Sequence, residues 1–179
     1  MDKQQLGKFL SLILRHKPQT VGLTLDANGW ADTEQLIRAV NAVYPFDMKM
    51  LENIVQTDNK QRYSFSEDKT RIRANQGHSI SVDVELKEKQ PPDVLFHGSA
   101  SRYADAIARE GLLPQSRLYV HLSTDAQSAY VVGKRHGSPI VYRVDAEKMY
   151  RDGFVFFCSV NGVWQTKHVP PCYLRVENP

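Results

Sequence analysis

Residues 61–74 read QRYSFSEDKTRIRA, and two short runs of alternating apolar and polar residues flank the polar stretch SEDK. Alternation with a period of two is typical of a strand with one buried face, and a polar cluster between two such runs favours a tight connection. The stretch therefore predicts a two-stranded hairpin with its turn at residues 66–69.

A long amphipathic helix is predicted at the N-terminus. Apolar residues recur at helical spacing from Leu6 to Leu14, as expected for a helix with one buried face. Pro18 has no backbone N–H to donate and restricts the residue before it, so the helix ends near Arg15 and His16.

Two shorter helices are predicted to begin near Asp32 and Asp47, each with an apolar stripe, and Asp2 is a candidate cap for the first helix. Helices followed by a two-stranded hairpin are the parts of a winged helix, so we predict a winged-helix lobe over residues 1–90. The same parts occur in other small α+β units, which leaves that alternative open.

The residues after the hairpin predict a boundary between two lobes. Residues 80–92, ISVDVELKEKQPP, form a strand-like run and then a charged segment closed by two prolines, a composition typical of a connection. We therefore place the boundary between residues 90 and 91, with a second lobe over residues 91–179.

The second lobe is predicted to be rich in short strands. Six β-rich runs follow Asp93, namely VLFHGS, YVHLS, PIVYRV, GFVFFCSV, VWQTKHV and YLRVE. Two helices are predicted between them, at about 102–111 and about 124–132, with Thr124 and Gln127 at the spacing of a capping box. The whole chain is therefore predicted to have an α+β fold.

The composition is that of an ordinary globular protein, with 179 residues, 41% of them hydrophobic, and a formal net charge of +3 that is spread evenly along the chain. No apolar run is long enough to span a membrane and no signal-like segment is seen, so we expect a cytoplasmic protein without a membrane partner. Cys158 and Cys172 lack the spacing of a zinc site or a disulfide framework, so no metal site is expected.

Arg15 and His16 admit two interpretations. Cations at the end of a helix interact favourably with its dipole, by roughly 0.3–1 kcal/mol, which would be reason enough for their presence. Alternatively, Arg15 acts with Arg62 in the hairpin and Arg117 before a predicted strand. Because a guanidinium can hold a phosphate through two hydrogen bonds, several arginines converging on one point would bind a phosphate dianion without a metal.

The stretch LFHGSA at residues 95–100 places a second candidate group after an apolar run. His97, Gly98 and Ser99 could present a backbone N–H and a hydroxyl to a ligand, with glycine allowing close approach, or could form an ordinary strand-to-helix turn. His121 in YVHLS is either a ligand-facing or a buried structural histidine. Neither GxGxxG nor GxxxxGK followed by Ser or Thr occurs, so these two nucleotide-binding motifs are absent.

Eight stretches occur along the chain in the order LRHKP, LDANGWADTEQLI, KQRYSF, IRANQGHS, LFHGSA, SRLYVHLS, RHGSP and NGVW with VPPCYL. Together and at this spacing they resemble the RNA 2'-phosphotransferase family, the Tpt1/KptA enzymes, over nearly the whole chain. No single stretch is specific, whereas eight in sequence are.

The resemblance implies an NAD-dependent, metal-independent enzyme that removes an internal 2'-phosphate from a tRNA-like RNA, as at a splice junction. The phosphate would attack C1 of the nicotinamide ribose and release nicotinamide, leaving an ADP-ribosylated RNA intermediate. The neighbouring ribose hydroxyl would then attack phosphorus, giving RNA with a 2'-hydroxyl and ADP-ribose 1'',2''-cyclic phosphate. We expect the enzyme to be a monomer.

Carried over residue by residue, the family's catalytic residues fall on Arg15, His16, Arg62 and Arg117, with Lys60 supporting the phosphate in the second step. The guanidiniums would hold the phosphate in line with C1 and stabilise charge on its oxygens. His16 would contact or deprotonate the ribose hydroxyl.

The resemblance also implies that the second lobe is an ADP-ribosyltransferase-like fold that binds NAD. His97, Gly98 and Ser99 match the family's His-Gly-Thr stretch, and serine keeps the hydroxyl of threonine. His121 and Ser123 match the second nucleotide-binding strand and its end. The resemblance assigns no role to residues 76–78.

Two other functions remain open. An enzyme of the same kind could cap terminal phosphates of RNA or DNA with ADP-ribose and stop after the first step, although the presence of Lys60 and His16 argues against this. A non-catalytic winged-helix nucleic-acid binder would have no use for the catalytic residues. It would bind duplex DNA with a salt-dependent affinity that does not respond to NAD.

Overall fold

The computed structural model describes residues 3–177, so Asp2, the candidate cap of the first helix, lies outside the described residues. The chain divides into two compact units, Met1–Glu85 and Leu86–Pro179, a few residues before the boundary placed from the sequence. Each unit combines helices with antiparallel sheet, which confirms the α+β class. Within residues 3–177, no helix has both the length and the apolar composition needed to cross a membrane.

The first unit contains three α-helices among its described residues. Helix α1 spans Lys3–Arg15, α2 spans Thr33–Asn41 and α3 spans Met48–Thr57. Helix α1 ends at Arg15, as the proline predicts, and a short 3-10 helix, Pro18–Val21, follows it.

The starts of α2 and α3 are capped by the two aspartates at which these helices were predicted to begin. The Asp32 side chain accepts a hydrogen bond from the Gln35 N–H at 2.7 Å, and Asp47 accepts one from the Met50 N–H at 2.8 Å. Each bond satisfies a backbone donor that the first turn of a helix leaves without an intrahelical partner.

A three-stranded antiparallel sheet completes the first unit. Its strands are β1 (Trp30–Asp32), β2 (Tyr63–Phe65) and β3 (Arg71–Ala74), in the order β1-β3-β2. Strands β2 and β3 form the predicted hairpin, with Tyr63 opposite Ala74. Strand β1 was not predicted, because three residues are too few to show an alternating pattern and its partner is distant in sequence.

The core of the first unit contains one face of the sheet and the apolar stripes of the helices. Ala31 and Ile72 are fully buried, whereas Trp30 and Arg73, their sequence neighbours on the other face, are half-buried, with the Arg73 guanidinium 4.4 Å from the Trp30 ring centre. The buried apolar residues are Leu6, Leu10, Ile13, Leu14, Leu23, Ala31, Leu36, Val40, Phe46, Leu51, Ile54, Tyr63, Ile72 and Ala74.

Residues 80–92 were predicted to be a strand-like run followed by a charged segment, and the strand-like part of this prediction is wrong. No strand is present over this range of the described structure. The Asp83 N–H instead donates to the carbonyl of Ala27, which belongs to a loop, at 2.9 Å. Glu85 has a φ of 57°, in the left-handed region, which breaks an extended run. The alternating residues belong to an irregular segment, and Glu88, near its end, forms an isolated antiparallel bridge with Phe157.

The six strands predicted for the second unit are present among its described residues, in two antiparallel sheets. One sheet has the order β4-β6-β9, with strands Val94–Ala100, Pro139–Asp145 and Leu174–Glu177. The other has the order β5-β8-β7, with strands Val120–Leu122, Trp164–Thr166 and Phe156–Cys158. Phe96 and Ser123 exchange two backbone hydrogen bonds of 2.8 Å and so join the sheets.

The helices of the second unit are α4 (Ala104–Glu110), α5 (Ala126–Lys134) and α6 (Ala146–Arg151). The first two were predicted, whereas α6, with six residues, is too short to show a helical period. The predicted cap at Thr124 is wrong. The neighbouring Asp125 carboxylate accepts the cap bond from the Ser128 N–H at 2.7 Å, and its charge also favours the helix start.

The second unit has its own core, separate from that of the first. Fully buried large side chains come from both sheets and from α6, which places the core among these elements. Its buried apolar residues are Leu95, Ile107, Leu112, Val120, Leu122, Tyr142, Val144, Ala146, Met149, Phe156, Trp164 and Val169.

Strand β4 and helix α5 pack closely because each carries a glycine at their contact. A Cβ atom on Gly98 would lie 1.7 Å from the carbonyl oxygen of Ala129, and one on Gly133 would lie 2.7 Å from the carbonyl oxygen of Ser99. Neither approach is open to a real side chain. The helix therefore occupies the space that a side chain at Gly98 would need, so packing alone requires this glycine.

Replacing Gly98 by alanine should destabilise the protein by about 1–3 kcal/mol or more, because the added methyl group must displace the α5 backbone. Urea unfolding followed by circular dichroism would measure the change. Gly7→Ala in α1 is the control, since a Cβ there meets nothing within 4 Å, and it should be neutral or stabilising by up to about 1 kcal/mol. Equal unfolding midpoints for Gly98→Ala and wild type would contradict the packing argument.

Candidate functional site

The candidate site residues fall into two groups, one in each unit. The first group, the arginine–histidine cluster, comprises Arg15, His16, Lys60 and Arg62. The second, the β4–β5 cluster, comprises His97, Gly98, Ser99, Arg117, His121 and Ser123. Within each cluster, contacts show which side chains the fold brings together.

A nearly buried carboxylate, Asp58, organises the loop that carries Lys60 and Arg62. The Asp58 side chain, 9% exposed, forms an ion pair with the Arg62 guanidinium. It also accepts hydrogen bonds from the backbone N–H groups of Lys60, at 3.2 Å, and Arg62, at 2.7 Å. Because a guanidinium has five N–H donors, the ion pair orients Arg62 and leaves donors for an anionic ligand.

The buried side chain of Tyr63 joins the hairpin to α1 beside the two arginines of this cluster. Its hydroxyl donates to the Gly7 carbonyl at 2.8 Å and lies 2.6 Å from the Ser11 hydroxyl. Burial raises the pKa of Tyr63, while the bond to Ser11 and the charges of Arg15 and Arg62 lower it. The charges of Arg15 and Arg62 therefore both act on the same phenol.

The loop that follows β3, residues 75–79, contacts the end of α1. Ser79 Oγ lies 2.9 Å from His16 Nδ1, and the Ser79 N–H donates to the Arg15 carbonyl at 3.0 Å. In the same loop the Asn75 N–H donates to the Arg62 carbonyl at 2.8 Å. One short loop therefore holds three residues of the arginine–histidine cluster.

His78 in this loop is buried, with 2% of its surface exposed. Burial, reinforced by the charges of Arg15, His16 and Arg73, lowers the pKa of His78 to about 4. Among residues 3–177 no hydrogen-bond partner is found for its Nε2 atom. A neutral imidazole thus occupies a position next to several cations without adding to their charge.

His97 in the β4–β5 cluster is held in one tautomer. Its Nδ1 lies 2.9 Å from the carbonyl oxygen of His121. Because a carbonyl only accepts hydrogen bonds, Nδ1 carries the proton and Nε2 of the neutral ring is an acceptor. Burial lowers the pKa of His97, more than the bond to His121 raises it, and the charges of Arg117 and His136 lower it further. His97 can therefore accept a hydrogen bond from a ligand hydroxyl at neutral pH.

Arg117 is oriented by a side chain of the neighbouring strand. Its Nη1 donates to Nδ1 of His121 at 3.1 Å, which requires His121 to carry its proton on Nε2. Although Arg117 is exposed as a residue, nearby protein atoms partly desolvate its guanidinium and so lower its pKa. The group remains a cation at neutral pH.

The other members of the β4–β5 cluster supply hydroxyl groups and a close helix contact. Ser99 lies on β4 opposite Ile140, and Ser123 uses its backbone in the two bonds to Phe96. The cluster thus combines an acceptor nitrogen, two hydroxyls and a cation, donors and acceptors that suit a ribose, an amide and a phosphate. Within residues 3–177, no three His, Cys, Asp or Glu side chains are grouped as ligands for a metal ion.

Asp58, Tyr63 and Ser79 were not predicted from the sequence to be parts of the site. Asp58 carries one visible signal, its place four residues before Arg62 at the end of a predicted helix. Ser79 stands in the IRANQGHS stretch, to which no role was assigned, and its partner His16 is 63 residues away. Only tertiary contacts connect these residues to the candidate catalytic side chains.

Comparisons with known proteins agree with each other. Residues 1–168 match the model of the family described as RNA 2'-phosphotransferase, Tpt1 / KptA family. The chain is 50% identical to a probable RNA 2'-phosphotransferase of Hahella chejuensis, over 98% of this chain and 96% of that relative. The chain is also similar to two proteins of the same description. It is 46% identical to that of Trichormus variabilis, over 97% of this chain and 96% of the relative. It is 49% identical to that of Agrobacterium fabrum, over 96% of this chain and 92% of the relative. All residues of both clusters lie within the matched range.

Protonation of His78 should destabilise the protein as the pH falls. The unfolded chain binds this proton near the ordinary pKa of 6.5, whereas the folded protein binds it only near about 4. Above pH 6.5 protonation of His78 thus leaves the free energy of unfolding unchanged. Between pH 6.5 and about pH 4 it lowers that free energy by up to about 3 kcal/mol. Urea unfolding at a series of pH values would measure the slope.

His78→Gln removes the titrating group and should flatten the dependence of unfolding free energy on pH within this window. His136→Gln, at an exposed position, is the control and should leave the slope unchanged. A His78→Gln variant that keeps the full slope would assign the acid sensitivity to other groups.

Proposed function

The chain belongs to the RNA 2'-phosphotransferase, Tpt1/KptA family, and we propose that it removes an internal 2'-phosphate from RNA with NAD as co-substrate. The observation that supports this most directly is that three side chains implied in the chemistry are each held by a specific partner. The pairs are Arg62 with Asp58, Arg117 with His121, and His16 with Ser79. Groups oriented beforehand need little reorganisation as charge develops, which is the main source of electrostatic catalysis.

The first step of the proposed reaction joins the RNA phosphate to the ribose of NAD. An oxygen of the 2'-phosphate forms a bond to C1 of the nicotinamide ribose, the C1–N bond breaks, and nicotinamide leaves with its electron pair. We assign Arg15, Arg62 and Arg117 to holding the phosphate dianion, because planar guanidiniums bind phosphate oxygens in pairs. Their role in this step is positioning, which can supply several kcal/mol of barrier reduction.

The second step transfers the phosphate from RNA to the ribose. The ribose 2-hydroxyl attacks phosphorus and loses its proton, the bond from phosphorus to the RNA 2'-oxygen breaks, and that oxygen takes up a proton. We assign the proton transfer to His16 and stabilisation of the phosphoryl oxygens to the arginines with Lys60. The products are RNA with a 2'-hydroxyl and ADP-ribose 1'',2''-cyclic phosphate.

We assign NAD binding to the β4–β5 cluster. His97 would accept a hydrogen bond from a ribose hydroxyl through Nε2, since its Nδ1 proton is engaged with the His121 carbonyl. The hydroxyls of Ser99 and Ser123 would contact the amide and ribose of the nicotinamide end. For Gly98 the proposed role is indirect, because its contact with α5 sets the position of the residues on either side.

The architecture of each unit supports the finer assignments of fold. Helices α1 to α3 followed by the β2–β3 hairpin support a winged-helix lobe that faces RNA. Two small antiparallel sheets joined at Phe96 and Ser123 support an ADP-ribosyltransferase-like lobe. We propose these two assignments together with the reaction.

The reaction is tested by incubating the protein with a short RNA that bears one internal 2'-phosphate, in EDTA, with and without NAD. We expect NAD-dependent loss of the phosphate and formation of ADP-ribose cyclic phosphate. Accumulation of ADP-ribosylated RNA alone would favour an enzyme that stops after the first step. An unchanged RNA under both conditions would rule out the proposed activity.

In the same assay, Arg62→Ala and Arg117→Ala should each lower the rate at least about a hundredfold, because each removes a fixed cation from the developing charge. Arg38→Ala is the matched control, since Arg38 is an arginine with a 70% exposed side chain paired to Glu34 on α2. It should retain wild-type activity within about twofold. Equal effects of all three changes would point to a non-specific loss of positive charge.

His16→Ala should slow the second step more than the first, because only the second step needs a proton removed from a hydroxyl. Single-turnover assays that follow nicotinamide release and loss of the 2'-phosphate separately would measure both steps. The expected result is rapid nicotinamide release with accumulation of ADP-ribosylated RNA. Equal slowing of both steps would place His16 among the groups that bind the phosphate.

A further inference from the structure

The residues of IRANQGHS that follow β3 form a loop whose tip contacts the end of α1. The Ser79 N–H donates to the Arg15 carbonyl at 3.0 Å, and the Ser79 hydroxyl lies 2.9 Å from His16 Nδ1. A helix leaves its last carbonyls without intrahelical partners, so this N–H supplies one of the missing bonds. A single residue thus contacts the backbone of one candidate catalytic residue and the side chain of the next.

The loop that carries Ser79 is itself held in place at several points. Asn75 donates from its backbone to the Arg62 carbonyl at 2.8 Å and from its side chain to the Gln61 carbonyl at 2.7 Å. Gly77 has a φ of 89°, a conformation that favours glycine, and His78 is buried with 2% exposure. Ser79 is therefore exposed to solvent at the end of an anchored segment, which gives its hydroxyl a defined position.

We propose that Ser79 is a positioning residue that accepts a hydrogen bond from Nδ1–H of His16, so that Nε2 keeps its lone pair for the substrate hydroxyl. The inference rests on the proposed function, in which His16 takes a proton in the second step. In the proposed direction of the bond, the serine oxygen holds the Nδ1–H tautomer and the ring orientation as the carboxylate of a catalytic triad does, but adds no charge. An added carboxylate here would compete with the phosphate for the nearby arginines.

The proton path is balanced by this arrangement. Nε2 of His16 takes the proton as the ribose oxygen bonds to phosphorus, and the ring becomes an imidazolium with Nδ1–H still bonded to Ser79. The same Nε2 proton then passes to the RNA 2'-oxygen as its bond to phosphorus breaks. The ring returns to the starting tautomer, so one hydrogen bond to Ser79 persists through the cycle.

Ser79→Ala removes the hydroxyl that contacts His16 but keeps the backbone N–H that donates to the Arg15 carbonyl, so it tests the hydroxyl alone. Nitrogen-15 NMR of protein labelled in its histidines, without RNA or NAD, reads the tautomer of His16, and the His16→Gln variant identifies its signals. We expect the Nδ1–H tautomer in the wild type and a shift toward Nε2–H in Ser79→Ala. Ser79→Thr, which keeps a hydroxyl, should restore the wild-type tautomer. Ser81→Ala, an exposed serine of the same segment, should have no effect.

Kinetics supply the second measurement. Ser79→Ala should slow the second step about tenfold to hundredfold, a part of the 10²–10⁴ that a positioned general base contributes. Nicotinamide release and the thermal midpoint should stay near wild type. Equal slowing of both steps together with a lowered midpoint would show a purely structural role and overturn the proposal.

Failure of the proposal and failure of the proposed function give different results. A wild-type protein with His16 in the Nε2–H tautomer, or a tautomer that Ser79→Ala leaves unchanged, overturns the role of Ser79 whatever the activity. A wild-type protein that makes no NAD-dependent product overturns the proposed function, and the role of Ser79 in its second step fails with it. In that case the NMR result still shows whether Ser79 sets the tautomer of His16.

Discussion

The end of helix α1 is the constraint on which the first unit's candidate site depends. Pro18 prevents the helix from continuing, so carbonyls in its last turn require partners from outside the helix. The Arg15 carbonyl receives its hydrogen bond from Ser79, across 64 positions of sequence. The same loop is bonded through Asn75 to Arg62. Completing the helix end therefore brings the arginine–histidine cluster together, and the position of its side chains follows from backbone hydrogen bonding.

The second unit depends on a steric constraint in place of a polar one. Helix α5 lies against β4 at a distance that only glycine permits at Gly98, where the Ala129 carbonyl takes the space of a side chain. The flanking residue His97 is then held by its bond to the His121 carbonyl, in the strand whose end is joined to β4. A strand fixed on both sides presents its side chains with little freedom, as a binding site requires.

In each unit a histidine that stays neutral lies beside the cations, His78 next to the arginine–histidine cluster and His97 within the β4–β5 cluster. His78 and His97 lose proton affinity mainly through burial, and neighbouring cations reinforce the effect. An imidazole at these positions fills space or accepts a hydrogen bond without increasing the repulsion among positive groups. Asp58 meets only part of the hydrogen-bonding capacity of Arg62. Such an arrangement suits a ligand that brings negative charge with it, as an RNA phosphate does.

The sequence alone determined the end of α1, the starts of α2 and α3, the 61–74 hairpin and the six strands of the second unit. These features depend on proline, on capping aspartates and on apolar periodicity, which all act within a few residues of the chain. Such local rules missed β1 and α6, which are too short to show a period, and they misjudged the alternating first part of residues 80–92, which is irregular. The sequence also determined which residues carry charge or an imidazole. Only the tertiary structure decided that Asp58 holds Arg62 and that Ser79 contacts His16. A hydrogen bond requires two atoms to be placed to within a few tenths of an ångström, and no local sequence pattern specifies that placement.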